Sequence, residues 1–197
     1  MGVARMTREE RREQTREDLV AAAERLFVAN GFHATSVDAI AADAGYTKGA
    51  VYSNFASKED LFFAVYERRV DAAVQASERL LAELGTAAGI EQAAAEGASR
   101  KGRDDGWLAV FLEFWSHVLR HPELHERFAG LHARIQAPFV AAVMRDGLVP
   151  DSAEVEPDEV VVAAMAMDVG LALERLVRPD VVDTTLSPRM AGLLLRT

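Results

Sequence analysis

Cysteine is absent from this chain, which rules out a disulfide framework, thiolate metal sites and thiol nucleophiles, and permits a reducing compartment. Long apolar runs are missing too. No stretch approaches the roughly 18 apolar residues of a membrane span, and Met1 to Gln14 is polar and charged. A soluble, unexported, cytoplasmic protein is expected. No G-x-S-x-G, H-E-x-x-H, phosphate loop or dinucleotide fingerprint occurs, so an enzyme reading has no site to start from. Strand-like alternation, internal repeats and low-complexity tracts are also lacking. What remains is 197 residues, half of them hydrophobic, enough for one or two helical domains with a sizeable core.

Excess positive charge is lacking as well, and a net charge of −9 argues at first sight against a nucleic-acid partner. Its distribution matters more. Residues 1–58 hold eight Lys or Arg against eight Asp or Glu, whereas the other 139 hold 14 against 23, so the whole excess lies outside the first 58. An acidic body repels phosphates and leaves the neutral end as the contact surface.

That end contains Thr35 to Asp60, a stretch patterned as two short helices and a turn. Val37, Ile40, Ala41 and Ala44 make one apolar helix face, with Thr35 and Asp38 spaced as a capping box. Gly45 stands where the helix must stop and a positive φ is cheapest. A second helix is expected from a Thr47 cap through Phe55, burying Val51 and Phe55 and leaving Thr47, Lys48, Gly49, Tyr52 and Ser53 outward. Ser57 and Asp60 then cap a third. Such an arrangement fits a helix-turn-helix whose second helix enters the major groove. Periodicity alone fits equally two solvated helices of an ordinary bundle.

The run Thr47 to Phe62 resembles the recognition-helix signature of the TetR family of transcriptional regulators, roughly T-x-G-x-x-Y-x-x-F-x-x-K-x-x-L, matched by Thr47, Gly49, Tyr52, Phe55, Lys58 and Leu61. The likeness extends upstream through Ala22 to Phe27, Asn30-Gly31-Phe32 and Thr35 to Val37. At Ser53 and Asn54 the chain departs from the family's usual bulky aromatic or histidine side chains, so no operator sequence carries over. The resemblance implies an all-α fold of about nine helices: a helix-turn-helix domain over residues 1–56, and a ligand-binding and dimerisation domain over 57–197. DNA contacts would come from Thr47, Lys48, Gly49 and Ser53 at the bases, and from Thr35, Ser36, Tyr52, Asn54 and Lys58 at the phosphates.

Elsewhere, Arg5, Arg8, Arg11, Arg12 and Arg16 interleave with glutamates, and they either reach phosphates or belong to a solvated helix start. A first helix is expected from a Thr15–Asp18 capping box to Asn30. Ser57 to Leu84 continues as one long rod, broken at Gly85 to Gly89, and Ile90 to Ser99 forms the next helix. Arg100 to Gly106 reads as a polar loop, Trp107 to His121 as a central aromatic helix, and Glu123 to Leu148 as a helix kinked at Pro138. After a linker over Val149 to Glu156, Pro157 opens a helix apolar nearly all round. It is either the middle of the fold or a subunit interface. A last helix covers Ser187 to Leu195. The resemblance implies a homodimer through the helices at 157–178 and 187–195, reading a palindromic operator.

His117 and His121 are one turn apart, with His125 and His132 downstream, but Pro122 interrupts that helix and His121 can cap its end, so structural histidines are expected. No metal or cofactor is implied. An effector pocket would draw on Trp107, Phe111, Phe114, Trp115, His117, Phe128, His132, Met144, Met165 and Asp168, all of which also fit core packing. A buried, unpaired Asp168 or Glu113 would point to a cationic ligand, and paired or exposed ones to an uncharged ligand. The expected protein is a sequence-specific DNA-binding regulator, a repressor released by a small apolar ligand that tilts the long rod. The alternative is a ligand-binding or protein-interaction bundle whose helix-turn-helix no longer binds DNA.

Overall fold

The computed structural model describes residues 6–102, 106–149 and 154–194. Among them there are nine α-helices, one single-turn 3-10 helix and no strand. The order is α1 (Arg8–Asn30), α2 (Val37–Asp43), α3 (Lys48–Tyr52), α4 (Lys58–Leu84), α5 (Thr86–Gly102), α6 (Trp107–Val118), the 3-10 turn Pro122–Leu124, α7 (His125–Asp146), α8 (Pro157–Val177) and α9 (Leu186–Leu194). The fold is all-α, as the pattern of apolar residues requires. Arg5 of the arginine leader, Arg103 to Asp105 of the polar loop, most of the linker after Val149, and Leu195 lie outside the described residues.

Several helix ends differ from those expected. The cap of α1 lies eight residues before Thr15, because Thr7 and Glu10 form the capping box: the Glu10 amide donates to Thr7 Oγ1 at 3.1 Å and the Thr7 amide to Glu10 Oε2 at 2.6 Å. Thr15 lies inside the helix, its hydroxyl turned onto the Arg11 carbonyl at 2.8 Å. α5 starts directly after Gly85, at Thr86, and runs through Gly89. Gly89 is required there for closeness, since a Cβ would stand 3.0 Å from the Leu80 carbonyl oxygen and from the Leu81 Cα. Pro138 is carried inside α7.

The chain packs as two compact units, and the line between them falls inside α4. The first takes the chain as far as Arg69 and adds Gly106–Arg120, which contains α6; the second takes Val70–Asp105 and everything from His121 onward. In the first unit, Phe27 of α1, Phe32, Phe62 and Phe63 of α4, and Phe114 of α6 are all enclosed. Phe114 stacks on Phe62 and meets Phe32 and Phe63 edge-on, with centroids 5.0 and 5.2 Å away. Each enclosed ring contributes on the order of 1.5–3 kcal/mol. A unit of the first 56 residues alone would lack Phe62, Phe63 and Phe114. Arg69 adds a clamp: its Nε meets Glu24 at 2.6 Å, and its guanidinium lies 4.1 Å from the Trp107 ring centroid.

In the second unit, Val70, Leu81, Ala98, Phe128, Leu131, Ala142, Val143, Val161, Ala172 and Ala191 are buried. α5 sits against α9 closely enough that a Cβ on Gly192 would collide with the Glu91 carboxylate. Thr86 ties the start of α5 to the end of α7, donating to Asp146 at 2.6 Å while accepting from Arg145 at 2.8 Å.

Candidate nucleic-acid interface

α2 and α3 are too short to hold themselves, so the site's rigidity comes from caps and from the floor beneath it. Ser36, not Thr35, caps α2, accepting from the Ala39 amide at 3.1 Å. After α2 the backbone turns at Gly45, φ +75°, and the Tyr46 amide closes back on the Ala41 carbonyl at 2.8 Å. The Tyr46 hydroxyl then donates to Asp18 of α1 at 2.8 Å. That bond, with a second from Gln14, holds the Asp18 carboxyl below the usual carboxylate range. Thr47 caps α3 by accepting from the Ala50 amide at 3.2 Å. Under α3, Val51 and Phe55 are buried, and Arg16 lies 4.6 Å over the Phe55 ring.

Above that floor stands the outward face. Thr47, Lys48, Gly49, Tyr52 and Ser53 are all exposed, Tyr52 by 50%. Nothing but Thr47 Oγ1, at 3.7 Å, stands within 4 Å of where a Gly49 Cβ would be, so a partner's backbone can come close there. Lys48 is held by Asp38 of α2 at 2.9 Å, and this hydrogen bond holds its ammonium pKa above the ordinary lysine value. Ser53 donates to the Ala50 carbonyl at 2.8 Å. Asn54 is half-buried and donates to the same carbonyl at 2.8 Å. Ser36 is exposed beside its cap. α3 ends at Tyr52, three residues before the end expected, because Ser53 and Asn54 turn their side chains back on Ala50.

Two residues expected at phosphates are committed elsewhere. Thr35 is buried, and its hydroxyl bonds the carbonyls of Leu26 at 3.1 Å and Gly31 at 2.7 Å, which closes the end of α1. Lys58 is half-buried, and its ammonium donates to the carbonyls of Phe32 at 2.9 Å, Thr35 at 3.2 Å and His33 at 3.4 Å. Burial pushes the Lys58 pKa down. The physical reason for both placements is the same. The segment between α1 and α2 leaves the carbonyls of Gly31, Phe32, His33 and Thr35 outside any helix, and these two side chains donate to them.

The effector candidates divide evenly between the units. Trp107, Phe111, Phe114, Trp115 and His117 belong to the first, where Phe114 is fully enclosed by phenylalanines and His117 Nε2 faces Glu59 at 3.3 Å. Phe128, His132, Met144, Met165 and Asp168 belong to the second. There Met144 is 63% exposed, on the outward side of α7, and lines no interior among the described residues. His132 packs 4.5 Å from the Phe128 ring and sets Nδ1 3.1 Å from the Phe128 carbonyl. Burial pushes its pKa down. Asp168 accepts from Ser187 of α9 at 2.6 Å, and Glu113 accepts from the His33 amide at 3.2 Å, so neither is the buried unpaired acid that a cationic ligand would need. The C-cap of α6 is Leu119, and His121 stands two residues further on, at the N-cap of the 3-10 turn. Arg175, which the sequence reading did not single out, is buried in α8 together with Val161 and Ala172.

The fold and this face define a helix-turn-helix protein. The family model described as bacterial regulatory proteins, tetR family, matches residues 19–65, and the one described as BetI-type transcriptional repressor, C-terminal, matches residues 86–194. The second covers more than half of the chain, which therefore belongs to the TetR family of bacterial regulatory proteins. Among curated relatives, the transcriptional activator FasR of Mycolicibacterium smegmatis is 34% identical over 113 residues, 57% of this chain and 44% of FasR. The regulator AcrR of Shigella flexneri is 43% identical over 65 residues, 33% of this chain and 30% of AcrR. The chain thus spans less than half the length of either. Among solved structures, Salmonella enterica GusR superposes with a TM-score of 0.71 at 23% identity, covering 93% of this chain and 96% of GusR, a likeness of fold. No helix among the described residues is long and apolar enough to cross a membrane.

Proposed function

We propose that the chain is a cytoplasmic, sequence-specific repressor without enzymatic activity, released from its operator by a small-molecule ligand. Residues 1–56 read DNA and residues 57–197 bind the effector and dimerise. The observation that carries this reading is the outward face of α3, where one cation, one phenol and two hydroxyls surround a glycine with no Cβ to hinder approach. Lys48, Thr47, Gly49 and Ser53 face the bases, while Tyr52, Asn54 and Ser36 steady the backbone. The BetI-type repressor description of the matching C-terminal model supports repression, although FasR is described as an activator.

A second copy doubles the reading heads on a two-fold operator. The outer surface of α8 supports a dimer through residues 157–178 and 187–195, since Val162, Leu176 and Val177 are 47, 49 and 81% exposed and Leu193 of α9 is 57% exposed. Selection of bound duplexes from a random pool, followed by titration at several salt concentrations, tests the whole reading. A palindromic consensus bound by two chains is expected. Failure to enrich any sequence would leave an interaction bundle with an idle helix-turn-helix.

A further inference from the structure

One charge in the second unit is left over. Arg175, near the end of α8, is only 9% exposed, and its Nη2 donates to the carbonyl oxygen of Ala98 on α5 at 3.1 Å. Its Nη1 is enclosed and has no hydrogen-bond partner, and no carboxylate among the described residues pairs with the group. Two turns earlier on the same face, Asp168 is occupied with Ser187. A guanidinium cannot escape burial by losing its proton, as a lysine can. An enclosed cation with one neutral acceptor is strongly unfavourable unless an anion joins it.

The anion's size and class follow from the surroundings. Because Nη1 has no access to solvent, its partner atom must enter the interior, which a macromolecular surface cannot do. Short side chains surround the approach: Ala98 and Ala172 are 0 and 2% exposed, and Gly97 lies beside Asp168. With Nη2 already engaged, the group offers one positive charge and the donors of a single nitrogen, which match a singly charged carboxylate and leave the second charge of a phosphate uncompensated.

We propose that Arg175 anchors the carboxylate of a small, otherwise apolar organic acid, and that this acid is the effector. The proposal rests on the reading of residues 57–197 as the effector-binding part. It retains the apolar ligand body expected from the sequence and adds the one charge that Arg175 requires.

Full-length protein is melted in benzoate and octanoate, in the matching amides, and in chloride at equal ionic strength. The wild-type melting temperature rises with the acids and not with the amides or chloride. Arg175→Met abolishes the response, and without acid it melts no lower than wild type, because a neutral side chain of similar length removes the enclosed charge. Arg175→Lys keeps the charge but its single nitrogen cannot hold the Ala98 carbonyl and the acid in the spacing the guanidinium gives them, so about tenfold more acid is needed for an equal shift; it serves if the Met variant does not fold.

An acid response that persists in Arg175→Met overturns the proposal, as does a wild type that neither acid shifts. Operator binding is measured in the same samples. Operator bound without any acid effect removes this inference and leaves the regulator, whereas an Arg175-dependent acid effect without operator binding does the reverse.

Discussion

Lys58 places its ammonium 4.4 Å from the centroid of the Phe32 ring and donates to that residue's carbonyl oxygen at 2.9 Å. With the Thr35 and His33 carbonyls it closes the segment linking α1 to α2 from the first turn of α4. Read from the sequence, Lys58 held a phosphate, and its removal would have flattened the salt dependence of DNA binding. From the structure, Lys58→Met leaves three acceptors short of a donor and lowers stability by about 1–3 kcal/mol. Denaturant unfolding checks the loss. The slope of log affinity against log salt, measured below the melting temperature, is expected to stay at the wild-type value.

Asp38 gives the opposite case. Its carboxylate neutralises Lys48 at 2.9 Å on the face proposed to meet DNA, with both side chains more than half exposed. Asp38→Asn frees the ammonium and removes a negative charge that phosphates would approach. An exposed pair is worth about 0.2–1 kcal/mol, so binding tightens by roughly 1.4- to fivefold, with a steeper salt slope. Fluorescence anisotropy on a selected operator measures both, and unchanged affinity would place Lys48 outside the contact.

Helix identity was legible because the apolar spacing along Leu19, Ala22, Ala23 and Phe27 or along Leu61, Phe62 and Val65 has one period. The outward face of α3 was legible for the same reason, since burying Val51 and Phe55 fixes where Tyr52 points. Partners distant in the chain were not. Nothing in the spacing of residues says that Lys58 caps carbonyls more than 20 residues earlier, or that Glu113 of α6 receives the His33 amide across 80 residues. Caps also shifted by a residue or several wherever two candidates competed, as Thr35 did with Ser36. Thr35 lost because its hydroxyl had the carbonyls of Leu26 in α1 and of Gly31, just after it, within reach.

Gly31 lies at that junction too. Its φ is +85°, and a Cβ there would sit 2.6 Å from Glu113 Oε1. Gly31→Ala therefore meets two penalties, a positive-φ, extended backbone (ψ 163°) that is nearly restricted to glycine and costs about 1–3 kcal/mol, and a displaced carboxylate. A combined loss of about 2–4 kcal/mol is expected by denaturant unfolding. Adding Glu113→Ala removes the collision but not the backbone strain, so the double variant should be more stable than the sum of the single changes implies. Strict additivity would mean that the carboxylate moves aside freely.

His132 supplies a pH dependence whose sign can be worked out. Burial beside Phe128 pushes its pKa below 6.5, against a smaller opposing effect from the Phe128 carbonyl. Above about pH 6.5 both folded and unfolded chains hold the imidazole neutral and it contributes no slope. Below that value the unfolded chain takes up a proton that the folded chain refuses, so stability falls with pH until the folded group also titrates. The slope reaches at most about 1.4 kcal/mol per pH unit. Asp18 and Asp146, whose pKa values are lowered from 3.8, lose their contributions only below that value and leave this window clear. Urea unfolding between pH 7.5 and pH 5, with His132→Gln as the comparison, should show the variant falling less steeply. Parallel profiles would mean that the ring admits a proton where it stands, and that its enclosure is looser than its contact with Phe128 implies.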